Sequence, residues 1–323
     1  MNRRIILLFL SVFSFTAFAQ NRGEVSVKTD FAYYFKSDYV SGATHFAGVT
    51  GPYDGIGLRS TFCGNYFIPV GESENPLFAG NNICLGVKLE VCPISFRPEI
   101  FVSYTPAAFA RISAGSSLGT GWKILGMQGS GYYDVTKDKY EARDAFRTWR
   151  MNSWAKAELM FDLAAVWPGD YHHVVSVVGY EIGYVDYLNG PGNNKANQWI
   201  TTYGEGSGLR SELSCILGYQ IPSENHSMAG VQFVYYGYLD SDKCEDYMKN
   251  FKFDFKTASF DFFYSFDITK KDQFLFACTI NSRRSFVEDH DELQHEPMLT
   301  YCGREWFFDR LAVCWTHKFF SLK

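Results

Sequence analysis

The chain has 323 residues, a formal net charge of −5 at pH 7 and an aromatic content of 18%. The negative charge argues against nucleic acid as a partner, and no stretch reaches the roughly 18 consecutive apolar residues that a transmembrane helix requires. Mean hydropathy is −0.16, so the chain is rich in aromatic side chains without being hydrophobic on average.

The first 19 residues have the pattern of a bacterial secretory signal peptide. Two arginines precede an apolar run (5–15) that is too short to cross a bilayer as a helix, and a small-x-small cleavage site ends at Ala19. No cysteine lies in or just after this segment, which argues against a lipoprotein anchor. We therefore predict a signal peptide at 1–19 and a single mature domain at 20–323, because no linker or shift in composition divides the rest.

Apolar and polar residues alternate through most of the mature chain, which is the period of a β-strand and not of a helix. In "FDFFYSFDI" (260–268), one face is almost wholly aromatic and the other carries Asp261 and Asp267. About twelve such strands are predicted, with ten or fourteen as alternatives. Their predicted bounds, in chain order, are 23–35, 54–67, 82–92, 95–105, 107–118, 150–167, 171–187, 208–221, 228–240, 251–268, 273–284 and 303–320.

The length of these strands bears on the fold class. Many have about 9–11 alternating positions, which is the length that a tilted strand needs to cross a bilayer. Strands of soluble sandwiches are nearer to about 5–6 residues. The prediction is therefore an all-β fold with a single closed antiparallel transmembrane barrel, although the composition also fits a secreted β-sandwich.

One predicted strand changes register. In 251–268 the apolar residues are odd-numbered through Phe255 and even-numbered from Ala258. Either a β-bulge near 256–259 restores the register, or residues 251–256 lie above the membrane.

The connections between predicted strands form a second pattern. A barrel with both chain ends in the periplasm has short turns at its even-numbered connections and long outer loops at its odd-numbered ones. Nine of the eleven connections agree with this pattern. The exceptions are the second, "IPVGESENPLFAGNN", which is long, and the third, "CPIS", which is short.

Together these features resemble bacterial outer-membrane β-barrel proteins over the whole mature chain, with no diagnostic motif of one family. The resemblance implies the outer membrane as location, its lipid as a contact and the barrel-assembly machinery as a partner. In that class the last strand ends in an aromatic residue, whereas here "SLK" follows "LAVCWTHKFF". The residues expected in the interfacial aromatic girdles are Trp167, Tyr171, Tyr264, Trp315 and Phe319.

Charges of both signs alternate with the apolar residues and are expected to face the inside of the barrel. Such charges would be costly in a dry core unless they are paired. They either tune the selectivity of a water-filled pore or form a paired network that fills the barrel. These residues are Lys28, Asp30, Lys88, Glu90, Arg97, Glu99, Arg111, Lys156, Glu158, Asp162, Glu181, Arg210, Glu212, Asp261, Asp267 and Lys318.

Two loops have distinctive composition. Loop 119–149 either folds inward as a constriction edged by Arg143, Asp144 and Arg147, or remains an exposed surface loop. Its glycines do not have the spacing of a nucleotide-binding fingerprint. The acidic loop 288–296 could bind a divalent cation, although it lacks the alternation of a calcium loop. Its candidate ligands are Glu288, Asp289, Asp291 and Glu296.

Cysteines and histidines give weak signals. The eight cysteines contain no C-x-x-C pair; parity places Cys84 and Cys92 inward and Cys215 and Cys278 toward lipid. A membrane-embedded hydrolase would need a nucleophile and a base at the rim. The candidates are His172, Ser176 and His317.

We predict a porin-like channel for small solutes or a structural, surface-exposed membrane protein, with the channel ahead. The alternatives are a membrane-embedded lipid-modifying enzyme and a secreted soluble β-sandwich binding module. No cofactor, metal site or catalytic residue is predicted.

Overall fold

The computed structural model describes most of residues 23–322. The predicted signal peptide lies outside the described residues. These residues are 23–35, 40–48, 55–71, 75, 77–78, 80–188, 196–200, 202–239, 246–288 and 293–322.

Twelve antiparallel strands form a single sheet in chain order, and the first pairs with the last. The predicted number of strands and the closed barrel are therefore confirmed. The strands are β1 (Gly23–Tyr34), β2 (Gly55–Pro69), β3 (Asn82–Cys92), β4 (Ser95–Ala107), β5 (Ala110–Gly121), β6 (Trp149–Asp162), β7 (Val174–Leu188), β8 (Gly208–Gln220), β9 (Met228–Tyr238), β10 (Thr257–Asp267), β11 (Asp272–Phe286) and β12 (Tyr301–Leu322).

Closure of the ring satisfies the backbone of every barrel strand. β1 pairs with β2 on one side and with β12 on the other, from Gly23 opposite Leu322 to Tyr34 opposite Arg310. A closed ring has no free edge, which is the condition for strands to cross a bilayer. The closed ring also contradicts the alternative of a β-sandwich.

The two faces of each strand differ as the alternation predicts. In β10, Phe262 and Tyr264 are 49% and 41% exposed on the exterior, whereas Asp261, Phe263 and Ser265 are at most 5% exposed. The same contrast between the two faces recurs around the ring. The exterior residues are mostly aromatic, β-branched or leucine, and the first two types also suit a pleated strand. Exposed apolar side chains on the other strands include Phe31, Leu58, Val87, Ile100, Ile112, Leu159, Ile182, Leu217, Tyr235, Phe276 and Leu311.

The change of register before β10 has a simple cause. A 3-10 helix, Asp246–Phe251, precedes the strand, and β10 begins only at Thr257. Residues 251–256 therefore lie outside the strand, and of the two explanations the bulge near 256–259 is wrong.

β6 is shorter than its predicted bounds of 150–167. The Asp162 side chain accepts a hydrogen bond from the Ala164 backbone N–H at 3.0 Å and caps a 3-10 turn, Leu163–Ala165. A local side-chain cap thus competes with the strand ladder, and the next strand begins only at Val174. None of the described helices is long and apolar enough to cross a membrane.

The connections follow the predicted alternation, with the two exceptions seen in the sequence. The odd-numbered connections lie at one end of the barrel, here called the outer end. The start of β1 and the end of β12 lie together at the other end, here called the periplasmic end. The second connection is long (70–81) and the third is short (93–94). The other odd connections are 35–54, 122–148, 189–207, 239–256 and 287–300.

One further short strand joins the barrel sheet outside the ring. His45–Gly48, from the first outer connection, pairs in parallel with β12 near Glu305 and Phe307. It lies beyond the last residue of β1 that pairs with β12, so it plays no part in closing the ring.

The inner face of the barrel is apolar near the periplasmic end over seven neighbouring strands. This apolar belt packs side chains from β6 through β12 against one another. Its residues are Met160, Val177, Ile216, Met228, Phe263, Leu275 and Cys314.

Candidate functional site

The candidate site is the charged inner face above the apolar belt. The predicted inward charges lie on the inner side of their strands, and all but Asp162, Asp267 and Lys318 belong to this face. Those three lie on the periplasmic side of Met160, Phe263 and Cys314, the belt residues of their strands. The half-buried members are Lys88, Arg111, Asp162, Arg210, Asp267 and Lys318. The members with at most 8% exposure are Lys28, Asp30, Glu90, Arg97, Glu99, Lys156, Glu158, Glu181, Glu212 and Asp261.

The longest ion-pair chain runs across β1 to β4. Arg59 donates to Asp30 Oδ2 through Nε at 3.0 Å and through a terminal nitrogen at 2.6 Å. Lys28 lies 3.9 Å from the same carboxylate. Arg59 is also 3.4 Å from Glu90, which accepts a hydrogen bond from Arg97 at 2.9 Å. Each charge on this part of the wall therefore has an opposite neighbour.

Arg59 was missed in the sequence prediction, although a signal for it was present. Ile56, Leu58 and Phe62 are exposed on the exterior, so the alternation through β2 places Arg59 on the inner face. Its two partners lie on the strands on either side.

Two smaller clusters complete the middle of the wall. Lys88 donates to Glu99, its cross-strand neighbour, at 2.9 Å. Glu158 lies 2.9 Å from Lys156 on its own strand and 3.8 Å from Arg111 on β5. Both clusters again join residues of the same or adjoining strands.

A third cluster extends over the four consecutive strands β10, β11, β12 and β1. Arg310 donates to Thr279 Oγ1 at 3.2 Å and to the Tyr34 hydroxyl at 3.3 Å. It is 3.9 Å from Asp261, which accepts a hydrogen bond from Thr279. The ion pairs described above for these membrane-spanning residues all join neighbours along the wall.

A small four-stranded sheet lies at the outer end, built from the fifth and seventh connections. We call it the cap. Its strands, in sheet order, are Lys139–Ala142, Ser130–Asp134, Asn197–Trp199 and Thr202–Glu205.

An ion cluster attaches one side of the cap to β6–β8. Glu205 is 5% exposed and accepts hydrogen bonds from Arg150 at 2.6 and 2.7 Å and from Arg210 at 3.1 Å. The Tyr187 hydroxyl donates to the same carboxylate. Burial opposes ionisation, but the adjacent Arg150 charge outweighs it and holds the pKa of Glu205 at about 2. The Trp199 ring packs over Gly119 of β5, where an added Cβ would come within 2.5 Å of it.

An aromatic cluster attaches the other side of the cap to β9 and β11. Tyr133 and Tyr140 pack with Tyr238, Phe251 and Phe286. The Gly204 backbone N–H also donates to the Tyr140 hydroxyl at 2.8 Å. Because β5 and β11 are six places apart in a ring of twelve, the cap bridges the outer mouth from one wall to the opposite one.

Loop 119–149 is predicted to be either an inward constriction or an exposed surface loop, and different parts of it agree with each. Arg143 stacks on Tyr132 at 4.5 Å and donates to Asn197 at 3.2 Å, so it belongs to the cap. Asp144 and Arg147 lie at an exposed turn instead. The inward constriction is therefore correct for Arg143 and wrong for the other two residues.

The acidic loop is only partly described. Glu288 accepts a hydrogen bond from the Thr300 backbone N–H at 3.0 Å, and Glu296 is buried in a 3-10 helix. Asp289 and Asp291 lie outside the described residues. Within the described ranges, no three potential metal ligands cluster.

The cysteines have the predicted facings. Cys84 is 5% exposed on the inner face, and Cys92 contacts the Ser95 hydroxyl at 2.8 Å. Cys215 and Cys278 lie on the exterior face. All seven described cysteines are free thiols, and Cys244 lies outside the described residues.

The candidate catalytic groups are not brought together. His172 Nδ1 contacts the Trp167 carbonyl at 3.1 Å, and His317 Nδ1 contacts Asp272 at 2.8 Å. Ser176 faces outward between Phe161 and Leu217. No hydrogen bond in the described part of the chain links a nucleophile to either histidine.

The predicted girdle aromatics gather at the periplasmic end. Trp167 and Tyr171 are 64% and 72% exposed in the sixth connection. The Tyr264 hydroxyl donates to Ser227 at 3.3 Å, and the Trp315 indole donates to Asp272 at 3.1 Å. Apolar rings with a polar tip bonded near a turn are typical of a membrane interface.

Comparisons with known proteins do not assign the chain to a family. No family model matches the chain, and no curated protein matches it. An outer membrane channel from Pseudomonas putida F1 is 10% identical, with 95% of this chain and 98% of that chain covered and a TM-score of 0.49. The NanC porin is 7% identical, with coverage of 90% and 98% and a TM-score of 0.43. The translocator domain of the autotransporter NalP from Neisseria meningitidis is 7% identical, with coverage of 98% and 92% and a TM-score of 0.41.

The closed ring, the apolar exterior and the charged interior together meet the physical requirements of a transmembrane barrel. The chain folds as a closed, twelve-stranded transmembrane β-barrel.

Proposed function

We propose that this barrel is a passive channel for small hydrophilic solutes, with an outer mouth narrowed by the cap. The observation that carries the proposal is the direction of the ion pairs. In the described part of the chain they run along the wall between neighbouring strands. A network that filled the barrel would instead link opposite walls. Charges paired along a wall leave the axis for water and solutes.

A structural or surface-exposed role is the second candidate, favoured by the cap. The cap contacts opposite walls through Trp199 and through Tyr133 and Tyr140, which pack with Phe286, and it is fixed by the buried Glu205 cluster. A barrel closed this firmly would present an ordered outer surface without conducting.

The test is single-channel conductance of the mature chain, residues 20–323, refolded in detergent and inserted into planar bilayers. Heat-modifiable migration on a gel serves as the folding control. Discrete steps are expected for the parent, and larger steps for Glu205→Ala. Glu141→Ala is the matched control, because Glu141 lies in the same cap but its ion pairs are with the exposed Lys137 and Lys139. A folded parent and a folded Glu205→Ala variant that both stay silent would refute the channel and favour the surface role.

Export and insertion are part of the same proposal. Removal of residues 1–19 is tested by N-terminal sequencing of the mature protein. Recognition by the barrel-assembly machinery is supported by the exposed Phe319 and Phe320 near the end of β12. Replacing both by Ala is expected to slow insertion in cells, and an unchanged rate would contradict this recognition.

A further inference from the structure

Five polar side chains on the inner face of β9–β12 have hydrogen-bonding capacity that no group in the described part of the chain fills. We call them the polar stripe. Each is at most 3% exposed, and each has at least one buried oxygen or nitrogen without a hydrogen bond. The residues of the polar stripe are Gln232, Ser259, Asp261, Ser265 and Asp309.

A β-bulge brings Asp309 into this stripe. On β11 and β12, Thr279 pairs with Arg310 and the next residue, Ile280, pairs with Phe308. Asp309 is therefore an extra residue of β12 that has no partner on β11. The extra residue turns Asp309 and Arg310 inward together; they are 0% and 5% exposed. A bulge commonly re-aims one side chain in this way.

The adjacent Arg310 guanidinium makes its closest contacts with groups other than Asp309. Arg310 bonds to Thr279 and Tyr34 and lies 3.9 Å from Asp261. Neither oxygen of Asp309 has a well-formed hydrogen bond, and in the described part of the chain Asp309 has no ion pair. The Asn281 side chain and Arg310 are its polar neighbours. The stripe thus holds two carboxylates beside a single guanidinium.

The adjoining wall, which begins at β1 next to β12, has the reverse balance. Across β1–β4, the chain of ion pairs around Arg59 holds three cations and two carboxylates, and all of them are paired. Its residues are Lys28, Asp30, Arg59, Glu90 and Arg97. Among the described groups of β9–β12, Asp309 is therefore a buried carboxylate left without an ion pair, beside an Asp261 that shares Arg310.

The stripe calls for a ligand because buried polar groups are costly when their hydrogen bonds are unmade. Gln232 is a second, independent indication, since it is 0% exposed and neither its oxygen nor its nitrogen has a partner. Gln232 lies directly opposite Asp261 in the strand register. Water can satisfy the amide and hydroxyl groups, and a row of oxygen atoms with excess negative charge suits a small cation.

We propose that the polar stripe is a hydrated path through the barrel and that Asp309 attracts small monovalent cations to it. This inference rests on the proposed channel and adds its charge preference. Asp309 provides the unpaired charge, and Gln232 and Ser259 provide neutral oxygen atoms that can contact the cation along the same wall.

The first test is the reversal potential of single channels under a tenfold KCl gradient. The parent is expected to prefer K⁺ over Cl⁻. In Asp309→Asn the permeability ratio is expected to fall about sixteenfold. The Boltzmann factor for one unit charge about 5 Å away in water is about fourfold, and it acts on K⁺ and on Cl⁻ in opposite directions. Asp254→Asn is the control, because Asp254 lies outside the barrel strands and pairs with Lys252. Equal selectivity in Asp309→Asn and the parent would overturn the proposal.

A second test does not depend on conductance. Ser259→Cys is introduced into a variant with all eight native cysteines replaced by Ala, and folding is verified by heat-modifiable migration. A cationic methanethiosulfonate is expected to react faster than an anionic one, and adding Asp309→Asn is expected to remove that preference. If the parent does not conduct, the channel fails, whereas this labelling still decides the inference. Absence of reaction with either reagent would show a dry stripe and overturn it.

Discussion

Replacing Glu205 by Gln keeps the shape of the side chain and removes the charge that fixes the cap. The buried carboxylate has a pKa of about 2 against an ordinary value of 4.5. That difference corresponds to about 3 kcal/mol of stability. Removing one member of a buried ion pair costs about 3–5 kcal/mol in other proteins, so the two magnitudes agree. The variant is expected to open its cap about a hundredfold more often than the parent, at about 1.4 kcal/mol per tenfold.

The same pKa sets the pH dependence. Because the pKa of Glu205 is lower in the folded protein than in the unfolded chain, its contribution is complete above pH 4.5. The contribution is lost as the pH falls toward about 2. Glu205→Gln is expected to lack this component of acid sensitivity.

Amide hydrogen exchange of peptides from 196–207, measured in detergent micelles, reports this opening directly. Glu141→Gln is the control, because its ion pairs are exposed and contribute little. Equal protection in Glu205→Gln and the parent would refute the assignment of Glu205 as the residue that holds the cap.

Three further predictions concern the wall and the thiols. Arg59→Met leaves Asp30 and Glu90 without their shared cation, so a loss of about 3–5 kcal/mol is expected in urea unfolding; an unchanged midpoint would contradict the network. Phe262→Lys places a charge on the lipid face at a cost of about 2–4 kcal/mol. It should reduce the folded fraction in vesicles, whereas Phe262→Leu should fold like the parent; equal folding of both would place Phe262 away from lipid. Alkylation in denaturant, without prior reduction, should modify all seven described cysteines, and a protected thiol detected by mass spectrometry would count against free thiols.

The barrel itself could be predicted because one physical cause acts on every strand. Lipid outside and charge inside impose the two-residue alternation, so Phe262 and Asp261 already indicate which face is which. The prediction was weaker where local side-chain chemistry competes with that alternation. The Asp162 cap, which ends β6 early, is such a place.

The cap, and the position of Asp309 in the polar stripe, could not be predicted from the sequence, for different reasons. The cap depends on contacts between separate loops, such as Glu205 with Arg150, and no periodicity encodes those. Asp309 has the parity of lipid-facing Leu311, so strict alternation would expose it to lipid. A carboxylate at such a position is itself a signal that the strand contains a bulge, and only the register of β11 and β12 shows where.

The short parallel strand His45–Gly48 has a consequence for how neighbouring copies of this protein behave. β1 stops pairing at Tyr34, whereas β12 continues outward for several residues beyond Arg310. The uncovered backbone of β12 would be a template for another chain's strand. His45–Gly48 pairs with β12 at Glu305–Phe307 and occupies that template. In a crowded membrane, this segment therefore protects the barrel from edge-to-edge aggregation at its own closing seam.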